Sequence, residues 1–220
     1  MLSVIKPFEI NTSRGNLFFK ELKPKDSKST NQVHNLAKFL INNFIDSSID
    51  PDWNELQNLA NKDYYKNVIE DYETFIKAIL KNNYGKSTIL VAKDTKKHIK
   101  ASIITFEFNE FKGIEDPKTL YLHSMAVDKE YRKNNIGKIL IDKAIEKDKE
   151  TFTDVFLTAY NNALPFYKKL GFEQLDTTNP KIKIISDKIQ ETRTDFPQYV
   201  TFMSKTLDKN ATRWWERISL

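Results

Sequence analysis

The sequence predicts an α/β (α+β) fold: a mixed sheet with helices on both faces. Three observations carry that reading. Apolar residues recur at helical spacing as far as Leu80 and then alternate from Thr88 onward. An apolar extended run, Leu120 to Val127, feeds a basic turn that opens a new helical stripe. A short helical segment stopped by Gly171 leads into a further extended run, Phe172–Leu175.

The elements follow in order. Leu17–Lys23 reads as a strand ended by Pro24, which has no N–H for a ladder. Val33, Leu36, Ala37, Leu40, Ile41, Phe44 and Ile45 fall on one helical stripe, with Ser29 and Thr30 available as caps. After Pro51, Asp52-Trp53-Asn54-Glu55 has the form of a capping box. Leu56, Leu59, Ala60 and then Val68 to Leu80 continue as two helices or one kinked helix, closing near Asn82–Gly85. Thr88–Ala92 and Lys100–Phe108 form a hairpin around Lys93–Lys97. Phe111–Lys118 reads as a loop and Thr119–Val127 as a strand. Ile136, Ile139, Leu140 and Ala144 mark a helix face. Asp154–Ala159 is a strand, Asn162–Leu170 a short helix and Tyr199–Leu207 the last strand. The order is β-α-α-β-β-β-α-β-α-β-β. Residues 1–220 read as one domain with a polar insert at 177–196 and a tail at 208–220. The insert holds an apolar piece, Ile182-Lys-Ile-Ile185; loops of that length are usually functional or disordered.

Composition narrows the chemistry. The chain has 220 residues, 40% apolar and 12% aromatic, enough for a substantial core. No run approaches the roughly 20 apolar residues that span a bilayer. The amino-terminal residues lack the apolar segment of a signal peptide, so a cytoplasmic location is expected. There are no cysteines and three scattered histidines, so neither a thiolate nucleophile nor a metal centre is expected. The net charge of +5 comes from 35 basic and 30 acidic residues that are interspersed, which argues against a nucleic-acid surface.

The segment Val127-Asp-Lys-Glu-Tyr131-Arg132-Lys133-Asn134-Asn135-Ile136-Gly137-Lys138 carries the strongest signal. A strand that turns into a helix N-terminus aims backbone N–H groups, and the positive end of a helix dipole, at one spot. That arrangement suits a pyrophosphate. The N–H groups of residues 133–138 would hold two phosphates, Arg132 and Lys138 would add rim charge, and Gly137 would allow close approach.

Val127, Tyr131 and Arg132-Lys-Asn-Asn135-Ile-Gly137 resemble the acetyl-CoA motif of the Gcn5-related (GNAT) N-acetyltransferases. Ala163-Leu-Pro-Phe166-Tyr167-Lys-Lys-Leu170-Gly171-Phe172 resembles that family's second block. The resemblance is specific over 119–175 and topological from 17 to 118. It implies a mostly antiparallel sheet of six to seven strands, splayed between the fourth and fifth. It also implies pantetheine contacts at Met125, Ala126 and Val127, and a cofactor contact at Asn162. Two departures stand out: Asn135 replaces the family's first glycine, and Lys133 fills another glycine slot. Asn tolerates positive φ better than most residues. In the second block Tyr160 stands where the family has Asn, with Asn161 one position late.

The resemblance further implies a tyrosine, here Tyr167, that protonates or holds the departing CoA sulfur. His123 matches one histidine of the arylalkylamine acetyltransferase branch, while Tyr121 departs from the other. Tyr121, His123 and Met125 share a strand face, so Tyr121 and His123 are expected to line an acceptor slot. His123 is a candidate general base. Glu107 and Glu110 are further candidates, and Trp214-Trp215 is expected to pack against the body or a second subunit. The expected function is acetyl transfer from acetyl-CoA to a primary amine, of a small molecule or a peptide, by direct attack in a ternary complex. The competing expectation is a weak or non-catalytic acyl-CoA sensor or scaffold. The chain is expected to be a monomer or homodimer with no metal and no membrane partner.

Overall fold

A computed structural model describes residues 4–45, 62–109, 113–192 and 200–219. It has eight strands in one sheet, ordered β1-β2-β3-β4-β5-β6-β8-β7. They are β1 (Phe8–Thr12), β2 (Gly15–Glu21), β3 (Ser87–Lys93), β4 (Ile99–Phe108), β5 (Asp116–Val127), β6 (Asp154–Tyr160), β7 (Glu173–Gln174) and β8 (Val200–Thr206). The helices among the described residues are α1 (Thr30–Ile45), α2 (Lys62–Leu80), α3 (Ile136–Lys147), α4 (Leu164–Lys169), α5 (Pro180–Thr192) and α6 (Trp214–Arg217). The fold is mixed α/β with a mostly antiparallel sheet, as the sequence predicts. The chain divides into two compact units. One comprises Met1–Thr105 and Ser124–Lys147, the other Phe106–His123 and Asp148–Leu220.

In the first unit, β1 and β2 form an antiparallel hairpin, and β2 pairs antiparallel with β3. Strand β1 was not expected, because its pattern of polar and apolar residues is short. Residues Thr88–Ala92 are all buried, so β3 reads as a continuous apolar run and is covered on both faces. In α1 the buried stripe is Val33, Leu36, Ala37, Leu40 and Ile41, and the Ser29 carbonyl accepts the N–H groups of Gln32 and Val33. Helix α2 ends with Asn82 at φ 61°: Asn83 N–H bonds Ala78 O and Asn82 N–H bonds Ile79 O, satisfying its last carbonyls. The capping box expected at Asp52–Glu55, with Leu56, Leu59 and Ala60, lies outside the described residues.

A buried ion pair joins α3 to the sheet in this unit. Lys147 Nζ lies 2.9 Å from Glu21 Oε1, their side chains 6% and 5% exposed, and also donates to Ser87 O and Thr88 Oγ1. Glu21 further accepts from Ile5 N–H and pairs with Lys23. Burial alone raises the Glu21 pKa, but the hydrogen bonds from Lys23 and Lys147 outweigh it and hold the carboxyl below its ordinary value. The contribution of Glu21 to stability is therefore complete above the unfolded pKa of about 4.3 and fades as pH falls through the lowered folded value. Lys147→Met leaves the carboxylate buried and half-compensated. Urea denaturation at pH 7 should show a loss of about 3 kcal/mol, narrowing in acid as the carboxyl protonates. A loss below about 1 kcal/mol at pH 7 would mean that water reaches the pair.

In the second unit, β5 pairs parallel with β6 from Thr119↔Asp154 to Leu122↔Leu157. The pairing stops there although the strands run on to Val127 and Tyr160. That is where the splay between the fourth and fifth predicted strands was expected. The last strand, β8, lies antiparallel between β6 and β7. Strand β5 starts at Asp116, earlier than the predicted Thr119. The core is aromatic: Tyr121, Phe108, Phe156 and the fully buried Trp214 form a cluster with ring centroids 4.9–5.7 Å apart. Trp214 thus packs against the body of its own unit. The 177–196 insert is corrected by the structure: Pro180–Thr192 is helical. Ile182, Ile185 and Ile189 are buried at helical spacing. Asn179 Oδ1 accepts the N–H groups of Lys181 and Ile182, and Pro180 opens the first turn. Residues 193–199 of the insert lie outside the described residues.

Candidate functional site

The predicted elbow lies in the first unit. After Val127, Asp128 N–H donates to Lys100 O (2.9 Å) and Asp128 Oδ1 accepts from Glu130 N–H (3.1 Å). Tyr131 N–H closes the turn on Asp128 O. Lys133 and Asn135 then adopt φ 66° and 59°. These are the two positions where the resembled motif's glycine is replaced, so the left-handed backbone survives without glycine there. Asn135 accepts it readily; Lys133 costs about 1 kcal/mol. Asn135 O accepts Ile139 N–H (3.0 Å) and begins α3. Among the described residues, the backbone N–H groups of Lys133 to Lys138 make no hydrogen bond. Six adjacent donors thus precede or open one helix, where the dipole adds positive potential.

Several side chains brace this turn. Asn134 Nδ2 donates to Tyr131 O and Arg132 O, both at 3.2 Å, and Asn134 Oδ1 accepts from Ser13 Oγ. Buried Tyr131 donates to Arg14 O. Lys100 Nζ lies 3.1 Å from Asp128 and over the Tyr131 ring. Burial would lower the Lys100 pKa, but the contact with Asp128 outweighs it and raises it. Sequence reasoning gave Asn134 a binding role through its backbone and missed its side chain as a brace. The Asp128-Lys-Glu130 turn has a local signal in its spacing; the partnership of Asp128 with Lys100 has none.

The rim charges are partly committed. Arg132 Nε donates to Val127 O (3.0 Å), a carbonyl that the resemblance assigns to the pantetheine arm. Lys138 pairs with Asp142 one turn on. Ile136, Gly137 and Ala126 are buried; Met125 and Val127 are half-buried.

The remaining candidates lie in the second unit. Tyr167 sits on α4, behind Pro165. The helix ends where Phe172 N–H bonds Tyr167 O and Gly171 N–H bonds Lys168 O, with Gly171 at φ 81°. Its ring meets Phe166 and Phe172 edge-on at 5.2 and 5.7 Å. The residue is 7% exposed, and its hydroxyl makes no hydrogen bond among the described residues. Burial pushes the phenol pKa well above its ordinary value, so it stays protonated across the neutral range. His123, on β5, is half-buried with its ring 5.5 Å from Phe106 and 5.6 Å from Tyr121. Tyr121 is fully buried in the aromatic cluster, a core position where a slot-lining one was expected. Asn162 is exposed in the turn before α4, while its neighbour Asn161 accepts from Thr201 Oγ1. Glu107 is half-buried at the end of β4; Glu110 lies outside the described residues. His34 meets Glu73 and His98 meets Asp94. Among the described residues no group of three or more metal-ligating side chains forms, and no helix is long and apolar enough to cross a membrane.

Three comparisons bear on this geometry. Residues 53–172 match the model of the acetyltransferase (GNAT) family. The chain is 29% identical over 86 residues to an uncharacterized N-acetyltransferase of Methanocaldococcus jannaschii, a match covering 37% of this chain and 38% of that relative's length. Among solved structures, the PaiA N-acetyltransferase of Thermoplasma acidophilum in complex with coenzyme A aligns with a TM-score of 0.55 at 14% identity, covering 86% of this chain and 98% of that one. A GNAT-family acetyltransferase of Streptococcus pneumoniae aligns with a TM-score of 0.54 at 19% identity, covering 87% and 99%. At these identities the structural likeness speaks for the fold alone.

Proposed function

The chain belongs to the acetyltransferase (GNAT) family, and from that premise we propose that it transfers an acetyl group from acetyl-CoA to a primary amine by direct attack. The observation that carries the reading is the row of unengaged N–H groups from Lys133 to Lys138 at the head of α3. Such a row, with two left-handed residues in it, suits the oxygens of a diphosphate. The Thermoplasma relative of the same fold was solved with coenzyme A.

The amine nitrogen attacks the thioester carbonyl, a C–N bond forms and the C–S bond breaks. The amine gives up a proton, for which His123, directly or through water, is the acceptor. Tyr167 donates a hydrogen bond to the sulfur as negative charge develops there. A phenol with a raised pKa is a poor source of a fully transferred proton and a dependable neutral donor, so the hydrogen bond is its contribution. Much of the rate comes from holding two substrates in register.

Gly137→Glu tests the elbow. Gly137 is buried in the first turn of α3, and a carboxylate there opposes the phosphates by bulk and charge. Calorimetry should show coenzyme A affinity falling by about 2 kcal/mol or more, roughly 30-fold. Normal affinity in this variant would place the pyrophosphate elsewhere.

A further inference from the structure

The second unit contains a cleft of about 310 Å³ between α5 and the β7–β8 pair. Its lining is mostly polar, with two buried apolar residues, Leu175 and Phe202. Its wall is one face of α5, with Lys183, Ser186 and Asp187 at positions i, i+3 and i+4. Ser186 is 5% exposed and lines the cleft, and its hydroxyl has no protein partner among the described residues. That hydroxyl is available to a ligand atom in the cleft. On either side of it the helix presents an ammonium and a carboxylate, Lys183 Nζ and Asp187 Oδ2, 2.7 Å apart. Their side chains are 62% and 49% exposed, so the pair is worth at most about 0.5 kcal/mol. Those charges can therefore exchange for a ligand's charges at little cost.

We propose that this cleft binds a free α-amino acid. Its carboxylate meets Lys183 and the Ser186 hydroxyl, its ammonium meets Asp187, and its side chain rests on Leu175 and Phe202. A ligand with one charge would open the helix pair and leave one member without a partner; a zwitterion replaces both. The volume stands near the lower end of ligand pockets, roughly 300 Å³, which suits a molecule of that size and not a polymer. The inference does not rest on acetyl transfer, and its test needs no coenzyme A.

The test is calorimetry of the full chain with the twenty amino acids, plus N-acetylleucine and leucinamide as singly charged controls. Saturable binding of one or more apolar amino acids is expected. Ser186→Ala and Asp187→Asn should each weaken it about tenfold, and the blocked ligands should bind about tenfold more weakly than leucine. The affinity of both variants for coenzyme A should be unchanged. No saturable heat with any free amino acid at millimolar concentration overturns the proposal. So does equal affinity for the blocked forms, or undiminished binding in both variants. Absence of coenzyme A binding would end the acetyl-transfer reading and leave this one standing.

Discussion

Replacing Tyr167 with phenylalanine should lower kcat about 100-fold and leave coenzyme A affinity within a factor of about three. The asymmetry follows from the proposed role of the hydroxyl. The ring is held by Phe166 and Phe172, contacts that phenylalanine keeps. Only the O–H is lost, and it has no protein partner among the described residues whose removal would unsettle the fold. In the proposed reaction its value arises when the sulfur takes up charge, so ground-state binding should scarcely sense it. The raised pKa adds a second expectation. Because the phenol remains protonated above its ordinary range of about 10, the wild-type rate should show no fall from Tyr167 ionisation up to that pH. Stopped-flow measurement of thiol release, with a panel of amines, reads both. An unchanged kcat in the phenylalanine variant would remove Tyr167 from catalysis.

Replacing Arg217 with alanine should destabilise the second unit by about 3–5 kcal/mol at pH 7. Arg217 Nη2 lies 2.5 Å from Asp116 Oδ2 and 2.9 Å from Asp154 Oδ2, and its Nε also reaches Asp116. Asp116 and Asp154 are 4% and 1% exposed. Burial would lower the Arg217 pKa, but the hydrogen bonds to the two carboxylates raise it. Alanine leaves two buried negative charges facing each other, helped only by neighbours such as Thr119 and Thr206. Lysine recovers only part of the loss, since a point charge cannot form the forked contacts. Urea denaturation of the three proteins at pH 7 decides it. A loss below about 1 kcal/mol at pH 7 would show that solvent screens the network.

Much of the elbow's backbone was legible in the chain because its signals are local. The alternation of Leu120 to Val127, the basic turn and the stripe beginning at Ile136 each depend on neighbours in sequence. The helix stop at Leu170-Gly171-Phe172 is equally local, and Gly171 does adopt positive φ. The apolar spacing of Ile182, Ile185 and Ile189 was also available; reading only Ile182–Ile185 made a helix look like a loop. Strand β1 is five residues long with no fully buried position, too weak a pattern to announce itself.

By itself the sequence determined most of the elements, the strand–turn–helix elbow and the family, since periodicity and turn chemistry act over a few residues. Tertiary structure alone decided that β8 lies between β6 and β7, and that Tyr121 is core. It alone also paired Lys147 with Glu21 and Arg217 with Asp116 and Asp154. Those pairings join groups up to 126 residues apart in the chain. Which buried charge meets which depends on strand register and helix packing, and no short window of residues encodes either.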